Sequence, residues 1–353
     1  MNNRERILKI FNHEAPDRVP FMAFSELLPR GEFEREMRDR GMGLITHCTS
    51  LSSEMPNIET TTKKAGEHYV TVYRTPAGEV FKQHDLRNGS GGSGLQGRYL
   101  IKGIEDYRPV IFMIDNTNYH RNEAEFIKVD RELGGDGITH TWTDEPPYMD
   151  AQYYMGLEKW SFEQYDHPEE FQALLEALER RQDRRLKLLL DCPEQYLINL
   201  GNLAGNFGPQ QYRLHMLPYF RKYARLFREK GKITTVHADA LNLNEFKDIA
   251  MEHEVDVIEA FTPPPVGNLS LSDARKAWGK DVILHINFPE SVFYEGYEKT
   301  KQYTVDLLKS DPCYRKFIGF TEMGLMSMDD DNRTLFQNGV EAIMDAIDLA
   351  GGY

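Results

Sequence analysis

The sequence predicts an α/β chain built as one (β/α)8 TIM barrel, and three observations carry that expectation. Residues 233–236, 255–258 and 282–284 are short runs rich in Val and Ile, the pattern of strands buried on both faces of a parallel sheet. Each run leads into polar groups: His237 and Asp239 after the first, Glu259 after the second, and His285, Asn287 and Glu290 after the third. Helically patterned segments separate the runs, and 353 residues is an ordinary length for a barrel with insertions. In such folds chemistry collects where strands end.

The elements follow in order. Residues 3–12 place Ile7, Leu8, Ile10 and Phe11 at helical spacing, with Asn3 as the cap and Glu5 in the first turn. Residues 18–24 read as the first strand, although Pro20 removes a ladder bond, and 43–49 as the second. The alternating run 69–74, the turn Thr75-Pro76-Ala77-Gly78 and the run 79–84 read as a hairpin inserted after the second strand. With Asn88 to Gly97, five of whose ten residues are glycine, it makes an insertion over 60–100 within a single 1–353 domain. The glycine-rich stretch reads as a flexible loop or as a lid over a site.

Residues 104–114 and 123–130 are expected to be helical, 137–142 is the third strand, and 143–154 (TDEPPYMDAQYY) reads as an aromatic, acidic loop. From Pro168, Glu169 and Glu170 in a first turn and Phe171, Leu174, Leu175 and Leu178 on one face mark a helix continuing to 190. The fourth strand, 196–200, leads into the small-residue loop NLAGNFGP, and one helix is expected over 211–229. The three opening runs are strands five to seven, with helices over 245–253 and 271–278 between them. Residues 317–320 are the eighth strand, ending at Thr321, Glu322 and Gly324, and 335–349 is a closing amphipathic helix.

Composition narrows the function. No apolar run nears the roughly 20 residues that span a bilayer, and the opening Met-Asn-Asn-Arg-Glu-Arg lacks an apolar signal core, so a cytoplasmic protein is expected. Asp and Glu outnumber Lys and Arg by 56 − 42 = 14, which argues against nucleic acid as a partner. Cys48, Cys192 and Cys313 are scattered and odd in number, which argues against a disulfide framework and against a thiolate zinc site.

The opening NNRERILKIFNHEAPDRVPF, the hairpin YRTPAGEVFKQH, the Gly-Lys pair followed by a strand and His237, and the run IEAFTPPPVGNLSLSDARKAWG resemble the uroporphyrinogen decarboxylase-like superfamily over most of the chain. The resemblance implies a (β/α)8 barrel and an activity among decarboxylases, cobalamin-independent methionine synthase-like enzymes and zinc methyltransferases that work with corrinoid proteins. The arginine-rich segment that porphyrinogen decarboxylases carry after the first strand is replaced by PFMAFSELLPRGEFERE, and net acidity disfavours a polyanionic substrate. The thiol-methylating branch carries His-x-Cys after the fifth strand and Cys after the eighth. Here those places read His237-Ala238-Asp239 and Thr321-Glu322-Met323-Gly324.

The resemblance therefore implies a zinc site of His237, Asp239 and Glu322, with Asp239 as a ligand or as the carboxylate that fixes the imidazole. Glu259 and His285 are the alternatives for that third place, or the catalytic residues that act as general acid to the leaving oxygen. Replacing thiolates by carboxylates hardens the metal, which suits polarising an ether oxygen. That points to O-demethylation: a methyl group moves from a small O-methyl compound to a corrinoid (cobalamin) held by a partner protein, since no DxHxxG corrinoid signature is present. Phe24, Trp142, Tyr148, Tyr153, Phe261 and Phe288 are candidates to hold a methoxylated aromatic ring, with Asn287 as a polar contact. The competing readings are a methyl-corrinoid:thiol methyltransferase, a decarboxylase-like barrel and a metal-free tetrapyrrole-binding barrel. A homodimer is a superfamily expectation. His47 reads as structural, and His140, inside a strand, as core or part of an interior network.

Overall fold

The computed structural model of the chain describes residues 1–28, 30–66, 68–85, 96–203, 208–321 and 329–353. Among the described residues, eight parallel strands close into a barrel: Phe21–Phe24, Met42–His47, Gly137–Trp142, Ile198–Asn202, Thr234–His237, Val257–Phe261, Ile283–Asn287 and Lys316–Phe320, first to eighth below. They are the eight strands the sequence predicts, with boundaries moved by at most three residues. The first strand begins after Pro20 rather than including it. The proline's missing N–H is thereby kept out of the ladder, while its carbonyl accepts from the Ile318 N–H at 3.0 Å.

Contacts divide the chain into two compact units. One unit, Met1–Thr49, Ala124–Thr143 and Pro193–Tyr353, contains all eight barrel strands. Its first helix, Asn3–Phe11, is capped by Asn2, one residue before the expected Asn3. The Asn2 side chain accepts from the Glu5 N–H at 2.8 Å, and Glu5 accepts from the Asn2 N–H at 2.9 Å. Ile7, Ile10 and Phe11 on this helix join Leu197, Val257, Ile283 and Phe317, at the beginnings of strands, in one buried cluster. The helix thus plugs the end of the barrel where strands start, and polar groups are left for the other end. The single helix expected over 211–229 is two, Pro209–His215 and Leu217–Glu229, because Pro218 lacks the N–H that would carry one helix through Met216.

Lys316 opens the eighth strand with only 1% of its surface exposed. Its ammonium donates to the carbonyls of Asp311 (2.5 Å) and Cys313 (2.6 Å), yet burial pulls its pKa down to about 8. Unfolded, the same group titrates near 10.4. Between these values the unfolded chain binds more protons, so stability rises with pH over that window, by about 2–3 kcal/mol from this group. Denaturant titrations at pH 7, 8, 9 and 10 should show the parent's stability rising relative to that of Lys316→Gln as pH increases, even where other groups lower both; a constant difference between the two proteins would remove Lys316 as the source.

The second unit comprises Ser50–Glu123 and Asp144–Cys192. Its antiparallel sheet runs Glu59–Ala65, His68–Thr75, Gly78–Asp85, Gln96–Arg98, with the expected hairpin at its centre in the register Tyr73↔Val80. Leu51–Glu54 pairs separately with Asn118–Arg121. The loop expected over 143–154 is a correction: Pro147–Met155 is a helix with proline in its first turn, where a missing N–H has no intrahelical partner to lose. The chain continues through Leu157–Asp166 and the long helix Pro168–Leu189. Residues 88–95 of the glycine-rich stretch, and with them its reading as a lid, lie outside the described residues. Among the described residues no helix is long and apolar enough to cross a membrane.

Candidate active site

The barrel interior holds a carboxylate ringed by imidazoles. Glu259, fully buried, is the middle residue of the sixth strand. Its Oε2 accepts from Asn199 Nδ2 at 2.8 Å and lies 3.2 Å from His237 Nδ1. Its Oε1 lies 3.0 Å from His140 Nε2 and 3.8 Å from His285 Nδ1, close contacts that are not aligned hydrogen bonds. The sequence reading put Glu259 and His285 at strand ends. Both instead sit inside their strands, because Phe261 and Ile286 carry the apolar pattern further, to Phe261 and Asn287. His237 alone of the three ends its strand.

Two backbone irregularities flank this carboxylate. The sixth strand slips register against the seventh between Ile258 and Phe261, where Ala260 adopts a left-handed φ of 59°. The fourth strand slips between Asn199 and Asn202, around Gly201 at φ 125°. Bulges of this kind re-aim side chains beside active sites, and a left-handed Ala is a strained position that its surroundings must hold. The Asn199 side chain ties the two together, since its Oδ1 accepts the Gly201 N–H at 2.7 Å while its Nδ2 holds Glu259.

The electrostatics follow from the arrangement. Burial alone pushes the Glu259 carboxyl up, but His140, His237 and His285 around it outweigh burial and hold it well below the usual carboxylate range. Burial pushes His237 down, but hydrogen bonding to Asp239 and Glu259 outweighs this and raises it to about 10. Burial lowers His285, and lowers His47 to about 3. His237 is thus held cationic between two carboxylates, Glu259 inside and the exposed Asp239, whose Oδ2 lies 3.6 Å from His237 Nε2.

Aromatic rings wall this interior. Phe24 packs against His47 at 4.6 Å and His285 at 6.2 Å. Trp142 lies 5.4 Å from the His140 ring and 5.2 Å from that of His237, and its indole N–H donates to His47 Nε2 at 2.9 Å. Asn287 donates to Thr262 Oγ1 at 3.0 Å, accepts the Thr321 N–H at 3.1 Å, and joins Asp239, Phe288 and Glu290 around a cavity of about 380 Å³. Phe261 is fully buried with its ring 5.5 Å from Trp278. Tyr148 belongs to the second unit, where its ring packs on Trp160 at 4.8 Å and Phe171 at 6.2 Å.

Of the three residues implied as zinc ligands, His237 and Asp239 are neighbours, and Glu322 lies outside the described residues. Among the described residues, no group of three His, Cys, Asp or Glu side chains is gathered to hold a metal ion. The donor types that are present, an imidazole with an adjacent carboxylate and a second carboxylate behind, are ones zinc accepts. Sequence reasoning missed Asn199; its one signal was an amide between the apolar Ile198 and Leu200.

No protein-family model matches the chain, and no curated protein does. Among solved structures the chain is similar to a methyltransferase from Methanosarcina mazei, with 12% identity, 99% of each chain covered and a TM-score of 0.59. It is also similar to a B12-independent methionine synthase from Shewanella sp. W3-18-1, with 10% identity, 90% of this chain and 85% of that one covered and a TM-score of 0.46. At these identities the first likeness is one of fold.

Proposed function

We propose that the chain is a methyltransferase that takes a methyl group from a small O-methyl compound and passes it to a corrinoid carried by a partner protein. The observation that carries this reading is the seating of His237. Its Nδ1 is fixed by the buried Glu259 and its Nε2 faces Asp239, and a carboxylate on the far nitrogen is how metal-ligating histidines are commonly oriented. Asp239 offers an oxygen on the same side, and Glu322 is the third ligand implied by the resemblance.

Zinc held by His237 and Asp239 would supply Lewis acidity toward the ether oxygen of the methyl donor. Glu259 sets the tautomer and ring plane of His237. Two carboxylates around one imidazole favour a cation at Nε2, either a metal ion or a proton. Burial disfavours a charge on His285, while His237 is held cationic against Glu259. Phe24 and Trp142 supply flat apolar surface beside these groups, which suits a methoxylated aromatic donor.

The test is metal analysis of the purified protein together with His237→Ala. Roughly one zinc per chain is expected in the parent, with loss of zinc and of methyl transfer from methoxylated aromatics to a reduced corrinoid protein in the variant, and an unchanged circular dichroism spectrum. Equal zinc in the two proteins, or transfer surviving in the variant, would overturn the assignment.

A further inference from the structure

The second unit contains a cavity of about 360 Å³ that the barrel chemistry does not use. A small-molecule site of modest size has this volume. Tyr73, Leu100, Met113 and Tyr153 contribute apolar and aromatic wall, and Lys82 and Arg181 contribute cations. Two carboxylates, Asp144 and Asp150, also line it, but both are matched. Arg181 Nη2 lies 2.5 Å from Asp150 and 3.4 Å from Asp144, Arg185 lies 2.6 Å from Asp144, and Arg181 also donates to the Tyr154 hydroxyl.

Lys82 is the group left over. It lies on the strand Gly78–Asp85 two residues after Val80, which is 1% exposed, so by strand alternation it shares Val80's covered face. It is half-buried, and among the described residues its ammonium makes no hydrogen bond or ion pair. An ammonium on a cavity wall with no ion pair of its own is available to an anion that enters the cavity. Tyrosine rings and a methionine thioether beside it suit the flat face of a ring.

We propose that this cavity binds a small aromatic carboxylate, its carboxylate paired with Lys82 and its ring held by Tyr73, Tyr153 and Met113. This inference stands apart from the methyl-transfer reading, since every residue it uses lies in the other unit. The test is calorimetric titration of the full-length protein with benzoate, and with benzamide as the uncharged control.

Benzoate should bind the parent and bind Lys82→Gln at least about tenfold more weakly, the usual size of a charge-assisted hydrogen bond. Benzamide should bind both weakly, and His237→Ala should bind benzoate like the parent. Tyr153→Leu, changed at a residue that is 49% exposed, gives a second reading should Lys82→Gln fold poorly, and it too should weaken binding. No binding at millimolar benzoate, parent-like binding by Lys82→Gln, or loss of binding in His237→Ala alone would each overturn the proposal.

Discussion

Glu259→Gln should be among the most damaging single-atom changes available in this chain. The substitution keeps the volume and removes the charge on which the interior is balanced. Glu259 now accepts on Oε2 from both Asn199 and His237. An amide has one oxygen, so if that oxygen keeps these two donors, its NH2 faces His140 and His285; in the reverse orientation, it confronts the Asn199 NH2. Breaking one side of a buried, charged network destabilises by about 3–5 kcal/mol, and denaturant unfolding should show a loss of that order. If the chain is the methyltransferase proposed above, methyl transfer should fall roughly 10–100-fold, the usual loss when a carboxylate behind a metal-ligating histidine is removed.

The pH dependence has a definite sign. His237 is raised to about 10 in the folded chain, so its pairing contributes stability that is complete below its unfolded pKa near 6.5 and is lost as pH rises through about 10. In chelator-treated Glu259→Gln only Asp239 still supports the imidazolium, so the His237 ring proton followed by NMR should titrate at lower pH than in the chelator-treated parent. An unchanged titration, together with stability within about 1 kcal/mol of the parent, less than the smallest loss expected from a broken buried pair, would mean that Glu259 is not what holds His237.

The barrel was legible because its strands are written as short Val- and Ile-rich runs that helical periodicities separate, and burial on both faces leaves no other way to spend such runs. His237, Glu259 and His285 were legible as polar interruptions of that pattern. What could not be read was depth. Whether Glu259 ends a strand or sits inside one depends on Ala260 accepting a left-handed backbone, for which alanine carries no signal. The role of Asn199 depends on a register slip sixty residues away in sequence from its partner. The helix Pro147–Met155 was missed because Pro146-Pro147 marks loops and helix starts alike. His140 was legible as core or interior network from its place inside a strand, and it stands 3.0 Å from the same carboxylate as His237.

Phe317→Ala should reach the site from below. Phe317 is fully buried near the start of the eighth strand, within the cluster that the Asn3–Phe11 helix closes, and its ring stacks on His285 at 4.4 Å with the planes 17° apart. Truncating a buried phenylalanine costs about 3–5 kcal/mol, part from lost burial and part from the cavity left behind, against a total stability of about 5–15 kcal/mol. The cavity opens against His285, whose other side is already crowded. A Cβ on Gly319 would fall 2.6 Å from its Nε2 and 2.5 Å from the Met22 carbonyl oxygen, so a glycine is needed where the ring passes. Freed from Phe317, the imidazole can drop away from Glu259, and the proposed transfer activity should fall along with stability. Phe317→Leu, which keeps most of the volume, should lose about 1 kcal/mol and most of the effect on activity. A loss under about 1 kcal/mol in Phe317→Ala, too small for a truncated buried ring, would show that this floor is not what positions His285.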